Sequence, residues 1–402
     1  MKNPTTSKLL RSLNRTAILD CIRLESPIAR TKIARQLGLS IPTVMRVVNE
    51  LIEEGLVCSL DDMEATGGRP RPLVSFDGKS YAAIGIDLGG SKMFGTVADL
   101  DGKVLHERFI PWNNLGPEAS LEGVCELITE LIDLPRSPGQ LIRGIGIGAP
   151  GITDSDKGIV TWAPSLGWRD LPLKKILYER FHLPVFVEND VNLTALGEFE
   201  FGAGKGTRDM VAIAIGTGIG AGIIIEGALY RGHRSAAGEI GYLLPGRQFL
   251  GKRYDKFGAL ESLASGTGIA ARAQQLLGPQ ALPDTNGDLS ASSVFEAARQ
   301  GEAWAQQVVD ETVDYLTIAI VSVSTLLDPE LIVLGGGVAS SADLLIAPIM
   351  QRTEGLIPSI PRIVASSLGR RAAVMGAITL VLKGTSDYFV VMQPFPYGNQ
   401  EE

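Results

Sequence analysis

An apolar strand that runs straight into a glycine turn occurs three times in this 402-residue chain, and the repetition narrows the fold more than any other feature. The first run is Ala83-Ile84-Gly85-Ile86-Asp87-Leu88, closed by Gly89-Gly90-Ser91-Lys92, with Phe94 to Ala98 predicted to return as a second strand before Asp101-Gly102 turns again. The second is Val211 to Ile215, closed by Gly216-Thr217-Gly218-Ile219-Gly220. The third, Leu331 to Leu334, ends in Gly335-Gly336-Gly337 and follows a long apolar helix predicted around Val308 to Leu327. A turn built of glycines exposes backbone N–H groups that can cradle phosphate oxygens, and an aspartate such as Asp87 at the strand end can hold a metal ion or its water. Single glycine turns are common in α/β proteins. Three in this order, each closing an apolar strand, are not.

Between the first two turns, Leu183-Pro184-Val185-Phe186-Val187 predicts a buried strand ending at Asn189-Asp190, with a helix that begins at once and stops near Gly202. A carboxylate at a strand's carboxyl end and a helix's N-terminus belongs in a cleft, where the helix dipole is expected to hold it ionised. Such a group can take the proton from a sugar hydroxyl that attacks a γ-phosphate. The plainer alternative is that Asp190 only caps its helix. Two further carboxylates stand in Gly238-Glu239-Ile240-Gly241-Tyr242 and Leu260-Glu261-Ser262. A carboxylate accepts two hydroxyl hydrogens, which suits a polyol.

Residues 1 to about 76 read differently. Leu13, Ala17, Ile18, Cys21 and Ile22 share one helical face, and a second short helix is predicted from Thr31, as N-cap, through Leu37. Gly38-Leu39-Ser40 turns the chain, and Ser40 can cap a third helix with Pro42 in its first turn. Val44, Val47, Val48, Leu51 and Ile52 then fall at helical spacing before Gly55. Two short helices joined by a glycine-containing turn make a helix-turn-helix, whose second helix enters the major groove. Thr43 and Arg46 are the predicted DNA contacts on it. Leu56-Val57 starts a strand, an acidic flexible stretch follows, and Gly67-Gly68-Arg69-Pro70-Arg71-Pro72 reads as the tip and return of a wing, with Arg69 and Arg71 suited to a minor groove. A three-helix bundle serving protein contacts is the alternative. Charge agrees with the DNA-binding reading: residues 1–72 hold 11 Lys and Arg against 8 Asp and Glu, the remainder 26 against 37.

Glu188-Asn189-Asp190-Val191-Asn192, Gly238-Glu239-Ile240-Gly241, Gly146 to Gly151, Ala163 to Trp168 and the Gly-Gly-Arg-Pro at 67–70 together resemble the repressor/ORF/kinase (ROK) family, over nearly the whole chain. The resemblance implies an actin-like, ribonuclease H-like two-lobe sugar-kinase fold behind an N-terminal winged helix-turn-helix. It divides the chain into a DNA-binding domain at 1–76, a small lobe at 79–190 completed by a helix at 370–384, a large lobe at 191–369 and a tail at 385–402. The resemblance also gives the motifs roles. Asp87, Gly89, Gly90, Ser91, Lys92, Gly216, Thr217, Gly218, Gly220, Gly335, Gly336 and Gly337 would face a nucleotide, with Mg-ATP as its form. Asn189, Asp190, Glu239, Tyr242 and Glu261 would hold a monosaccharide, with Asp190 as base. The family normally carries a structural zinc on one His and three Cys in the loop after Gly-Glu-Ile-Gly. Here Tyr242 replaces the His, and no Cys or His stands between Glu239 and Ser265. No structural zinc is expected.

The three cysteines, Cys21, Cys58 and Cys125, lie far apart, and no apolar run approaches the roughly 20 residues that span a bilayer. The sequence therefore reads as a cytoplasmic, sugar-responsive transcriptional regulator, a repressor. Its expected partners are operator DNA and a monosaccharide or derivative, and it is expected to act as a homodimer or higher homo-oligomer away from any membrane. The alternative is an ATP-dependent sugar kinase.

Overall fold

The computed structural model describes residues 4–64, 71–90, 92–111, 116–254, 258–278 and 289–385. Ser91, Arg69 and the tail from 386 lie outside the described residues, as does the side chain of Arg71.

The head runs α1 (Pro4–Glu25), β1 (Ile28–Ala29), α2 (Arg30–Leu37), α3 (Ile41–Glu53), β2 (Val57–Glu64) and β3 (Arg71–Phe76). Gly38 ends α2 at φ 62, a left-handed conformation that a Cβ would resist, and the turn delivers Ser40 to cap α3. The Ser40 hydroxyl accepts from the Thr43 N–H at 3.4 Å, and Pro42 sits in the first turn. Two expectations need correction. Thr31 is not the N-cap of α2: Ile28 and Ala29 pair with Val74 and Leu73 of β3, so the chain stays extended to Ala29 and the helix starts at Arg30. The acidic stretch through Glu64 is strand rather than flexible chain, because β2 pairs antiparallel with β3 as far as Glu64 opposite Arg71.

The body repeats one plan twice. Its first sheet takes β4 (Tyr81–Leu88), β5 (Lys92–Asp99), β6 (Val104–Pro111), β7 (Leu141–Ala149) after α4 (Pro117–Asp133), and later β11. A small sheet of β8 (Ile152–Asp154), β9 (Ile159–Ala163) and β10 (Trp168–Leu171) intervenes, followed by α5 (Leu173–Phe181), β11 (Val185–Asn189) and α6 (Asp190–Phe201). The second sheet takes β12 (Met210–Ile215), β13 (Ile219–Ile225) and β14 (Ala228–Leu229). Then come α7 (Glu261–Ala264), α8 (Gly266–Leu277), α9 (Ala291–Arg299), α10 (Ala303–Leu327), β15 (Leu331–Gly335), α11 (Ala342–Thr353), β16 (Arg362–Ala365) and α12 (Ala372–Thr385). The strand orders, β11-β7-β4-β5-β6 and β16-β15-β12-β13-β14, correspond one to one: an antiparallel meander with two parallel strands added at one side. In each lobe the crossovers to the parallel strands are helical, as right-handed βαβ packing requires.

The helices that follow the last strand of each sheet, α6 and α12, meet between the lobes. α6 lies on the second sheet, where a Cβ on Gly222 would be 2.5 Å from the Ala195 side chain. α12 lies on the first sheet, where Cβ atoms on Gly85 and Gly146 would reach the Val374 and Ala377 carbonyls at 2.4 and 2.3 Å. Their own crossing is reciprocal: a Cβ on Gly376 would stand 1.8 Å from the Leu193 carbonyl oxygen, and one on Gly197 2.0 Å from that of Ala372. The C-terminal helix begins at Ala372, where its apolar run begins and two residues later than the expected 370, because Gly369–Arg371 forms a separate 3₁₀ turn.

The head shares a core with the first lobe. Ile18, Leu19, Ile22, Leu51, Leu56 and Val74 pack with Ala83, Ala98 and Leu100 of the first sheet and Ile378, Val381 and Leu382 of α12. The Tyr81 hydroxyl donates to the Glu54 carbonyl at 2.6 Å, closing the end of α3 onto β4. Among the described residues no helix is long and apolar enough to cross a membrane.

Candidate functional site

A cleft of about 1370 Å³ opens between the lobes, and most residues singled out in the sequence line it. From the first lobe come Asp87, Gly89, Gly90, Lys92, Pro164 and Ser165, and from the junction Asn189 and Asp190. The second lobe adds Gly216, Thr217, Gly218, Gly220, Glu239, Tyr242, Glu261, Gly336 and Gly337. Gly335 is buried at the end of β15, off the wall. Gly220 stands in β13, where a Cβ would meet Val191 of α6 at 3.0 Å. Its bareness therefore also lets α6 approach the sheet.

The strand–helix junction shows how the sequence aims its polar groups. Asn189, not Asp190, is the N-cap: its Oδ1 accepts from the Val191 and Asn192 N–H groups at 3.0 Å each, while its amide donates to the Gly151 carbonyl at 2.9 Å. Asp190 is thus the first helical residue, with Oδ1 accepting from Val191 N–H at 2.9 Å and from the Asn189 amide at 3.1 Å. Beneath it Glu188, fully buried, accepts from Asn189 N–H at 2.9 Å, the Asn192 amide at 3.0 Å and Arg231 Nε at 2.7 Å. Arg231 opens the loop that carries Glu239, and its carbonyl accepts from Ala237 N–H at 3.0 Å. One ion pair, buried at its Glu188 end, therefore ties the Asn189-Asp190 junction of the first lobe to the Glu239 loop of the second.

Four carboxyl groups share the cleft, and each is pushed above its ordinary range. Asp190 rises to about 8, chiefly through burial, then through the charges of Asp87 and Glu239. Asp87 rises to about 6 by burial, against the pull of Lys92. Burial raises Glu239, with Glu261 adding to it, and burial raises Glu261 although Ile219 N–H bonds its Oε2 at 2.8 Å. This corrects the expectation that the helix dipole keeps Asp190 ionised. Protein atoms crowd the carboxyl and two like charges face it, which outweighs the end of one helix. With its pKa at about 8, Asp190 favours the protonated form at neutral pH, able to donate as well as accept.

A pH dependence follows. The native chain keeps the Asp190 proton up to about pH 8, whereas the unfolded chain releases it near the ordinary 3.8. Stability from this group is full at low pH and declines as pH rises through about 8. The melting temperature of the sugar-free protein is expected to fall between pH 6 and pH 9, and Asp190→Asn should flatten that fall. A parent whose melting temperature rises over this range, or a variant with an unchanged slope, contradicts the assignment.

Glycine contacts and caps bring further residues to the cleft that the sequence reading did not mark. Gly266 N–H donates to the Gly216 carbonyl at 2.8 Å and Thr267 Oγ1 to the Thr217 carbonyl at 2.9 Å, so the first turn of α8 lies beside the second glycine turn. Ser265-Gly266-Thr267-Gly268 is a capping sequence, and the Ser265 hydroxyl does cap Gly268 at 3.1 Å, so this placement was open to detection. Ser290, Phe295 and Arg370 also line the cleft, and Arg370 stands 5.6 Å from the Phe94 ring centroid.

Where the family resemblance implied a zinc loop, the chain packs. Phe249 is buried in a 3₁₀ turn at Arg247–Phe249, with Lys252 5.2 Å over its ring, and Leu260 N–H donates to the Leu243 carbonyl at 3.2 Å. Tyr242 lines the cleft half exposed, and His233 is exposed. Among the described residues no group of three or more His, Cys, Asp or Glu could hold a metal ion; residues 255–257 lie outside them.

On the head, the outer face of α3 presents Ile41, Pro42, Met45, Arg46 and Asn49, with Thr43 half buried. Met45 and Ile41, each 48% exposed, were not marked from sequence. Arg46 pairs with Glu50 at 3.6 Å, and Glu50 in turn binds Arg11 at 2.8 Å. Arg71 begins β3 at the base of the wing.

Comparison with known proteins agrees with this geometry. The ROK family pattern matches residues 83–384, and a winged helix-turn-helix DNA-binding pattern matches residues 11–57. A glucokinase of Halalkalibacterium halodurans is 36% identical over 74% of this chain and 94% of its own. The xylose repressor of Caldicellulosiruptor bescii is 29% identical over 93% of this chain and 96% of its own. In structure, a ROK family transcriptional regulator described as a homologue of the Escherichia coli MLC protein superposes with a TM-score of 0.82 at 26% identity, covering 94% of this chain and 97% of that one.

Proposed function

The chain belongs to the ROK family, and from its winged helix-turn-helix head and retained acidic cleft we propose that it is a sugar-responsive, DNA-binding transcriptional regulator, acting as a repressor. The observation that carries this reading is the shared core between the head and the lobe that forms one wall of the cleft, which gives a bound ligand a route to the DNA-binding surface. A full-length match to a xylose repressor supports it. Asn189, Asp190, Glu239, Tyr242 and Glu261 are the proposed sugar contacts; the glycine turns, with Asp87, Ser91 and Lys92, are the proposed nucleotide side. Thr43, Arg46, Arg69 and Arg71 are the proposed DNA contacts. A repressor that reads two half-sites about 34–36 Å apart needs two heads, so we propose a homodimer or higher homo-oligomer acting in the cytoplasm. Switching occupancy from 1:99 to 99:1 takes about 5.5 kcal/mol of differential affinity between the two states.

A second reading, an ATP-dependent sugar kinase, is favoured by Asp190 at its strand–helix junction and by the match to a glucokinase over the body. In that reading Asp190 must lose its proton when sugar and Mg-ATP fill the cleft before it can act as base.

The DNA half is tested on a duplex selected by the protein from a random pool. If Arg46 reads a base, Arg46→Ala is expected to lower affinity by about 1–3 kcal/mol; if it meets a phosphate, the salt dependence should lose about one unit of slope instead. A variant with parental affinity and parental slope would remove α3 from the interface.

A further inference from the structure

The head touches the body at more than the first lobe, and one contact reaches the helix that starts in the cleft wall. α6 begins at Asp190 in the cleft wall and ends at Phe201, so Glu200 in its last turn lies about 15 Å along the axis from Asp190. At that far end Glu200 Oε2 meets Arg23 of α1 at 3.2 Å, and Oε1 meets Lys383 of α12 at 2.6 Å. All three side chains are largely buried, Arg23 at 13% exposure, Glu200 at 12% and Lys383 at 17%. Arg23 is held from the head's own side by Asp20 at 4.0 Å and lies 6.0 Å over the Phe76 ring at the end of β3, the strand that returns from the wing.

The bodies joined here belong to different parts of the molecule. Head, first sheet and α12 share one core. The last turn of α6 is fixed to the second lobe instead: Glu198 accepts from Ala203 N–H at 2.8 Å and from Leu368 N–H at 3.0 Å, the latter just after β16. Between the two bodies, α6 crosses α12 with Gly197 and Gly376 bare against carbonyls and Leu193, Leu196, Ala373 and Ala377 packed around the crossing. A sugar held by Asn189 at the end of β11 in the first lobe and by Glu239 and Glu261 on the other would draw the lobes together, and α6 would move with the second lobe.

We infer that the Arg23–Glu200–Lys383 cluster is the link through which cleft closure is transmitted to the DNA-binding head. The inference rests on the regulator reading and specifies how that site is coupled. When α6 shifts, Glu200 must either carry Arg23, and with it α1 and the base of the wing, or give up one partner and leave buried charge unmatched. Burial makes the choice costly in either direction, as it is for any charge stripped of its partner away from water. Asp20, raised to about 6 by burial, adds a group that responds to loss of Arg23.

The test uses full-length protein, the selected duplex, and xylose, glucose and N-acetylglucosamine as probes, taking whichever shifts the parent's melting temperature most. Three quantities are measured for the parent, Glu200→Gln and Arg23→Met: sugar affinity, duplex affinity without sugar, and the ratio of duplex affinities without and with saturating sugar. Allosteric couplings commonly span about 5- to 150-fold. The parent ratio is expected in that range, and both variants should reduce it by about tenfold or to unity while sugar affinity stays within about threefold. A purely structural role would weaken duplex binding equally with and without sugar and leave the ratio unchanged, which overturns the inference alone. A parent ratio of one overturns the regulator reading and the inference together.

Discussion

Glu239→Ala is expected to weaken monosaccharide binding by roughly 150-fold, the equivalent of about 3 kcal/mol for two charge-assisted hydrogen bonds. Glu239 lines the cleft on a loop anchored by Arg231 to buried Glu188, so the loop should keep its course when the side chain is cut back. Removing one of four carboxyl groups also lessens the repulsion that raises Asp190, and sugar-free stability should hold or improve. Glu261 calls for a gentler change. Its Oε2 accepts from Ile219 N–H at 2.8 Å and packs where a Cβ on Gly218 would lie 2.7 Å away, so alanine there would loosen the second glycine turn. Glu261→Gln keeps that bond and should cost less, about tenfold. Titration calorimetry with the sugar that most raises the melting temperature measures both. Unchanged affinity in Glu239→Ala and Glu261→Gln would show that the ligand sits elsewhere.

Gly376→Val is expected to destabilise the fold by about 3 kcal/mol, at the upper end for overpacking, because its neighbour is backbone and cannot rotate away. The new Cβ would lie 1.8 Å from the Leu193 carbonyl oxygen, and α6 and α12 can accept it only by separating. Separation opens the core in which Leu193, Leu196, Ala373 and Ala377 pack with Met210, Ala212 and Val333. Gly197→Val should behave alike from the other helix, with its Cβ 2.0 Å from the Ala372 carbonyl oxygen. Urea denaturation followed by circular dichroism checks both, and a loss under about 0.5 kcal/mol, the level of an ordinary surface change, would contradict the packing.

Much of this architecture was legible because it is local. Strands that end in glycine turns, a helix starting at Asp190 and the Gly38–Ser40 turn each depend on a few consecutive residues. Most of the turn glycines were read correctly as punctuation, while Gly220 falls inside β13 and Gly335 at the end of β15. Gly85, Gly146, Gly197 and Gly376 do different work: they sit inside strands and helices, and only the packing of α12 on the first sheet and against α6 explains them. Long-range pairing also set what local propensity could not. β1 holds the chain extended past a good capping residue at Thr31, and β3 draws the acidic run at 61–64 into a strand. The roles of the four carboxyl groups were guessed one at a time, yet their proton affinities come first from burial in a shared cleft and, for Asp190 and Glu239, from neighbouring carboxylates. A helix N-terminus alone suggested an ionised Asp190; burial reverses that, helped by Asp87 and Glu239, 103 residues before and 49 after it in sequence. The contact between Arg23 and Glu200 spans 177 residues and left no trace in either neighbourhood.

The most direct test of the whole account is fluorescence anisotropy of the selected duplex, titrated with full-length protein at fixed salt, with and without each sugar of the panel. The account predicts tight, salt-dependent binding that at least one monosaccharide weakens by about fivefold or more, with reciprocal weakening of that sugar by the duplex. Duplex binding that is indifferent to every sugar, alongside sugar phosphorylation at about 1 s⁻¹ or faster, would contradict it and make the chain a kinase.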